Sequence, residues 1–130
     1  MAGSFSDYLE DKLLKHAFTN TSYTPATTLY VGLYTAAPTD AGGGTQVSGG
    51  SYARVSVAFT VSGTSTLCTN SAAVEFAAAT ASWGTIVAIG VFDASTAGNL
   101  LAWADLTVNK TIDSGDIFRI PTGDLDITLS

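Results

Sequence analysis

The sequence predicts a mainly β fold: a single antiparallel β-sandwich of about seven strands, preceded by one N-terminal amphipathic helix. Three observations predict it. Several stretches beyond residue 28 alternate apolar and polar residues with period two, the pattern of strands that turn one face to a core. Clusters of Gly, Ser, Asn, Asp and Pro separate these stretches at intervals of roughly ten residues, as in a sandwich. Residues 5–18 alone show convincing helical spacing of their apolar positions.

The helix reads FSDYLEDKLLKHAF. Phe5, Leu9, Leu13 and Ala17 recur every four residues, and Leu14 and Phe18 widen the stripe. Ser4 or Asp7 can cap its start; Asp7, Glu10 and Asp11 lie at the positive end of its dipole, Lys12, Lys15 and His16 toward the negative end. Asp11 and Lys15 form an i,i+4 pair in the favourable orientation. A helix this short is marginal alone in water, so its apolar face must dock, on its own sheet or on a neighbouring subunit. Residues 1–20 are therefore expected to be a helical docking segment and 21–130 the β-sandwich domain, with a long glycine-rich loop over 39–51.

LYVGLYT (29–35) is the first predicted strand. YARVSVAFTV (52–61) is expected to be another, with Val55, Val57, Phe59 and Val61 inward and Arg54, Ser56, Ala58 and Thr60 outward. Residues 70–76 form a weaker strand with Val74 and Phe76 inward and Glu75 outward. TIVAIGVFD (85–93) is almost continuously apolar, as in a strand covered on both faces. The turn ASTAGN leads to its hairpin partner LLAWADLTV (100–108). IFRIP (117–121) and DLDITLS (124–130) close the set, the latter with Leu125, Ile127 and Leu129 facing in.

Composition narrows the function. Apolar residues make up 46% of the 130, which excludes a disordered chain. Charged residues make up 12%, about half the ~25% usual for soluble domains, so either hydroxyl and amide side chains or neighbouring subunits cover the surface. Net charge is −6 and the five cations are scattered, which argues against a direct nucleic-acid binder. No stretch approaches the ~18–20 apolar residues of a membrane helix. MAGSFSDYLEDKLL lacks the layout of a signal peptide, so synthesis in the cytoplasm is expected.

Catalytic and metal chemistry find little support. His16 is the single histidine and sits on the polar side of the helix, where a triad base would lack its serine and carboxylate. With one His and one Cys (Cys68), zinc lacks ligands. Asp113, Asp116, Asp124 and Asp126 supply oxygen without EF-hand spacing, and turn aspartates commonly bond their own backbone. Glu75 with Asp93 or Asp105 could be imagined as a glycosidase pair, yet outward acids on strands usually form the wet face. Five of the thirteen glycines fall between Gly42 and Gly50, but GGGTQVSGG lacks the P-loop lysine and precedes a strand, so phosphate cradling is set aside. No enzyme, metal or cofactor is expected; a role through contact is.

Taken together, DYLEDKLLKHAF, LYVGLYTAAPTDAGGGTQVSGGSYARV, ASWGT and FDASTAGNLL resemble a family of small virion proteins of tailed bacteriophages, often labelled structural or tail-fibre proteins. The likeness spans nearly the whole chain. Family members commonly carry an acid before VSGGSYAR, where Gln46 stands here. The resemblance implies a virion component made in the host cytoplasm. The placement expected is a capsid decoration (cement) protein, a trimer contacting the major capsid protein and neighbouring copies of itself; the alternative is a tail, collar or fibre part. A carbohydrate-binding or hydrolytic β-domain is a remote third reading. Partner contacts are expected at Phe5, Leu9 and Leu13 of the helix, at Gly43, Gly44 and Gln46 of the loop, and at Tyr52, Arg54 and Trp83, because aromatic residues and arginine concentrate at interface centres.

Overall fold

The computed structural model describes residues 3–61, 63 and 66–128. Strand β1 (Gly3–Phe5) precedes helix α1 (Asp7–Phe18), and β2 (Leu29–Ala36), β3 (Thr45–Gln46), β4 (Val55–Val57) and β5 (Phe59–Val61) follow. The second half contributes β6 (Leu67–Asn70), β7 (Val74–Glu75), β8 (Gly84–Phe92), β9 (Leu100–Ile112), β10 (Arg119–Ile120) and β11 (Asp126–Thr128). The fold is thus mainly β with one helix near the N-terminus, and its strand pairs are antiparallel.

The helix starts later than its apolar spacing predicts. Ser4 and Phe5 pair with Trp103 and Ala102 of β9, so Phe5 belongs to a strand and not to the helix face. Ser6, extended at φ −71° and ψ 156°, is the cap in place of Ser4 or Asp7. Its hydroxyl accepts from the Leu9 amide at 3.2 Å and donates to the Leu100 carbonyl, and the residue is 2% exposed. This cap therefore joins helix and sheet as well as ending one of them. The Asp11–Lys15 pair forms as the spacing predicts, at 2.9 Å. All twelve helical residues remain at least partly exposed; Leu9 and Leu13 are half-buried, while Leu14 (60%) and Phe18 (80%) are open to solvent.

The main sheet has the order β1-β9-β8-β2-β3, with β4 beside β3 on the same edge of β2. β8 and β9 are the predicted hairpin partners. Their register breaks after Ile86, where Val87 stands opposite residues 106–109. Across this break Ile86 and Ile89, of opposite parity, both lie in the core. β8 is covered on both sides as predicted: Ile86 and Ile89 join the main core, while Ala88 and Phe92 join Tyr34 in a second cluster on the outer face.

Against the inner face lie a three-stranded sheet, β11-β6-β5, and the ribbon β10-β7. Val31, Leu33 and Ile89 of the main sheet share one core with Val74, Phe76, Phe118, Ile120 and Leu125 of this second layer. Two predicted strands are each broken. The 52–61 stretch divides at Ala58, β4 pairing with β2 and β5 with β6, so one alternating run serves both layers. Beyond the division Phe59 still packs against the core as expected, but the inward expectation fails at Val61, which is 56% exposed. The weak 70–76 strand becomes β6 and β7, with Val74 and Phe76 buried and Glu75 exposed as predicted. Leu125 is buried and Ile127 half-buried; Leu129 lies outside the described residues.

Candidate functional site

The glycine-rich segment is tied to its own domain along its length. Thr39 and Gly42 exchange backbone hydrogen bonds at 2.9 Å and close a tight turn. Gly43 and Gly44 are exposed just before β3, which pairs Thr45 and Gln46 with the end of β2. Val47 is 6% exposed, and its amide donates to the Leu33 carbonyl. Farther on, the Gly50 carbonyl accepts from Trp83 Nε1 at 2.9 Å and from the Thr80 amide at 3.0 Å. Gly50 has φ +58°, and a Cβ there would lie 2.8 Å from Trp83 Nε1, so both backbone and space require glycine.

Trp83 and Tyr52 are anchors of the core. Trp83 is 5% exposed and meets the Tyr52 ring edge-on, with centroids 5.4 Å apart. Tyr52 also stacks on Phe76 at 6.1 Å. Its hydroxyl accepts from the Leu33 amide at 2.9 Å, in the gap that β3 and β4 leave along the edge of β2. Burial pushes the Tyr52 phenol above the ordinary tyrosine pKa; the Leu33 amide and the Arg54 charge oppose the shift.

Arg54 crosses to the outer face. Its guanidinium lies 3.6 Å from the centre of the Phe92 ring. Nη1 donates to the carbonyls of Ala94 at 2.9 Å and Ala97 at 2.8 Å, and Nε donates to Gln46 Oε1 at 3.2 Å. Burial draws the Arg54 pKa down, while Tyr52, Tyr34 and Asp93 favour the charge. Gln46 thus accepts from an arginine of its own chain. Space for this packing exists because position 32 is glycine: a Cβ there would come within 2.9 Å of the Phe92 ring and 3.0 Å of Gln46 Oε1.

Of the nine expected contact residues, Gln46, Tyr52, Arg54 and Trp83 come together, around β2 and inside one chain. Leu9 and Leu13 lie apart on the helix, and Phe5 in β1. Asp40 is a linking residue that the sequence reading missed. Its carbonyl accepts from the Asp7 amide at 2.8 Å and its carboxylate from Trp103 Nε1 at 2.9 Å, so the loop after β2 holds the first turn of α1 against β9. The run Pro38-Thr39-Asp40 carried a turn signal but nothing to show the helix as its partner.

A family model matches residues 4–128, nearly all of the chain. The chain belongs to the family described as podophage GP4 fiber I protein gp80. It is therefore a virion structural protein of a tailed bacteriophage, the class that the glycine-loop and ASWGT segments resemble. No curated protein matches it. In this family setting, the Asp113 and Asp116 turn has a local role: Asp116 Oδ2 accepts from the Asp113 amide at 2.9 Å. His16 likewise serves the backbone, its Nδ1 accepting from the Tyr23 amide at 3.2 Å beyond the helix.

Proposed function

We propose that this chain acts by contact, without catalysing a reaction, as a fibre component of the virion that attaches through helix α1. The family match over residues 4–128, with its fibre description, is the observation that carries this placement. The attachment surface proposed is the solvent-facing apolar ridge of the helix, Leu14 and Phe18, continuing the Leu9–Leu13 stripe. Its occupant is a neighbouring virion subunit. Several copies, three being the expected number, would multiply weak single contacts through effective concentration. A subunit that binds only the assembled particle also stabilises it, by RT ln(1 + [L]/Kd).

One observation favours capsid decoration as a second reading. Within these 130 residues there is no heptad or other repeat from which to build a shaft. Copy number separates the two: a decoration protein approaches the count of the major capsid protein, whereas a fibre is present in a few copies at defined vertices. Leu14→Ser with Phe18→Ser leaves β1, Ser6 and Asp40 in place and is the clean test of attachment. Co-sedimentation with particles lacking the protein should fall at least tenfold; undiminished binding by the folded variant overturns the helix as the attachment surface.

A further inference from the structure

Beyond Phe92 the chain forms a shallow recess of about 330 Å³, walled by segment 26–28, by Tyr30 of β2 and by the turn that follows β8. Thr27, Thr28, Tyr30 and Ser95 bring hydroxyls to it, and Asp93 brings a carboxylate. Those four hydroxyls have no hydrogen-bond partner among the described residues. Asp93 is held still, Oδ1 accepting from the Asn99 amide at 2.7 Å and Oδ2 from the Asn99 side chain at 2.9 Å. Each of its oxygens keeps a further acceptor site. Arg54 fixes the same turn through the Ala94 and Ala97 carbonyls, so the polar groups are ordered before any ligand arrives.

The lining selects a ligand class. The nearby guanidinium is already held by two carbonyls, by Gln46 and by the Phe92 ring, and its charge offsets that of Asp93, on a chain of net −6. With the local charges balanced and the chain acidic, phosphates and anionic polymers gain no net electrostatic attraction. An apolar ligand would strip water from four hydroxyls and a carboxylate and return no hydrogen bonds. A neutral polyhydroxylated ligand returns them, donating to Asp93 and exchanging bonds with the Thr and Ser hydroxyls, with an aromatic side chain at hand for its C–H face. The volume lies at the small end of the ~300–1,000 Å³ typical of small-molecule sites, which suits a single ring.

We infer that this recess binds one unit of a neutral saccharide, with Asp93, Thr27, Thr28 and Ser95 as its polar contacts and Tyr30 as its aromatic wall. The inference goes beyond the attachment role and does not rest on it, because the recess and the helix ridge are separate residues. A site this open binds weakly, and repeated copies on a particle would supply the avidity.

The test uses the full chain labelled with ¹⁵N, titrated with free neutral hexoses, deoxyhexoses and N-acetylhexosamines, with neutral oligosaccharides, and with glucuronate as the anionic comparison. Amide shifts confined to residues 27–30 and 93–99, with a Kd on the order of 1–10 mM for at least one neutral sugar, are expected. Tighter binding of an oligosaccharide than of its monomer assigns the ligand to a surface polymer; equal binding assigns it to free sugar, and both support the site. Thr28→Val with Ser95→Ala should weaken binding at least tenfold, and Asp93→Asn provides a second variant should the first unfold. The inference is overturned by an absence of shifts at about 50 mM sugar, by shifts centred elsewhere, by unchanged binding in a folded variant, or by a preference for glucuronate.

Discussion

Tyr52→Phe isolates a side-chain hydroxyl that satisfies a buried amide of the main sheet. β2 is paired by β3 at its end and by β4 at its start, and between them the Leu33 amide has the Tyr52 oxygen as its acceptor at 2.9 Å. Leu33 is 0% exposed, so water cannot take over the bond. The substitution keeps the ring, and with it the packing on Phe76 and Trp83, while leaving a buried donor unsatisfied. Such a donor costs about 1–3 kcal/mol, and the small gain from a less polar ring offsets only part of it. With a urea m-value of ~1–3 kcal/mol/M for a chain of this size, the unfolding midpoint should drop by on the order of 1 M at unchanged m. Tyr30→Phe is the control: that hydroxyl has no partner among the described residues, so its loss should cost under about 0.5 kcal/mol. If Tyr52→Phe unfolds no more easily than Tyr30→Phe, the hydroxyl does not satisfy that amide and the reasoning fails.

Gly50→Ala should destabilise by about 2 kcal/mol or more, since it places a Cβ at φ +58° and against Trp83 Nε1. Gly43→Ala, with open space around it, should cost only the backbone part; near-UV dichroism of the tryptophans and urea titration compare the two. Arg54→Lys loses the planar fork that bonds Gln46, Ala94 and Ala97 at once, and should cost about 1–2 kcal/mol with faster amide exchange at Asn99. Burial raises the Tyr34 and Tyr52 phenols above the ordinary value of 10.0, so the folded state holds their protons more tightly than the unfolded chain. Their contribution to stability is complete below pH 10, is lost as pH rises from there through the folded values, and should shrink in Tyr52→Phe; urea midpoints across that range measure it.

What the sequence revealed and what it concealed divide along a physical line. The hairpin of β8 and β9 and the first long strand were legible because burial on one or both faces writes itself into local periodicity. The alternation of 52–61 was equally clear, yet period two records which face is wet and not which edge is paired. Hence the division at Ala58 and the exposure of Val61 were invisible. Helix spacing ran through Phe5 because its side chain fits a helical stripe; the strand pairing with Ala102 that claims it is nearly a hundred residues away in sequence. The site divided in the same way. Tyr52, Arg54 and Trp83 were conspicuous by type, but their partners, Leu33, Ala94 and Gly50, are bound through backbone atoms that leave no trace in residue identity.

These bonds change which part of the chain is suited to meet a neighbour. A pliant glycine loop would lose ~1–2 kcal/mol of backbone freedom per residue when a partner ordered it. Here Val47, Gly50, Tyr52 and Arg54 have already ordered it within the chain, and their apolar and hydrogen-bonding groups are consumed in doing so. What that leaves exposed at the loop is a set of small residues, among them Ala41, Gly43, Gly44, Ser48 and Gly49, with little side-chain surface to bury. The helix is the reverse case. Its first turn is clamped by Ser6 and Asp40, so its direction is set, while Leu14 and Phe18 farther along stand 60% and 80% exposed. Full burial of such side chains is worth roughly 1.5–3 kcal/mol each, and the exposed fractions leave most of that still to be gained on contact. An ordered loop and an oriented, uncovered helix therefore favour attachment through the C-terminal half of α1, with the glycine segment serving to hold that helix in place.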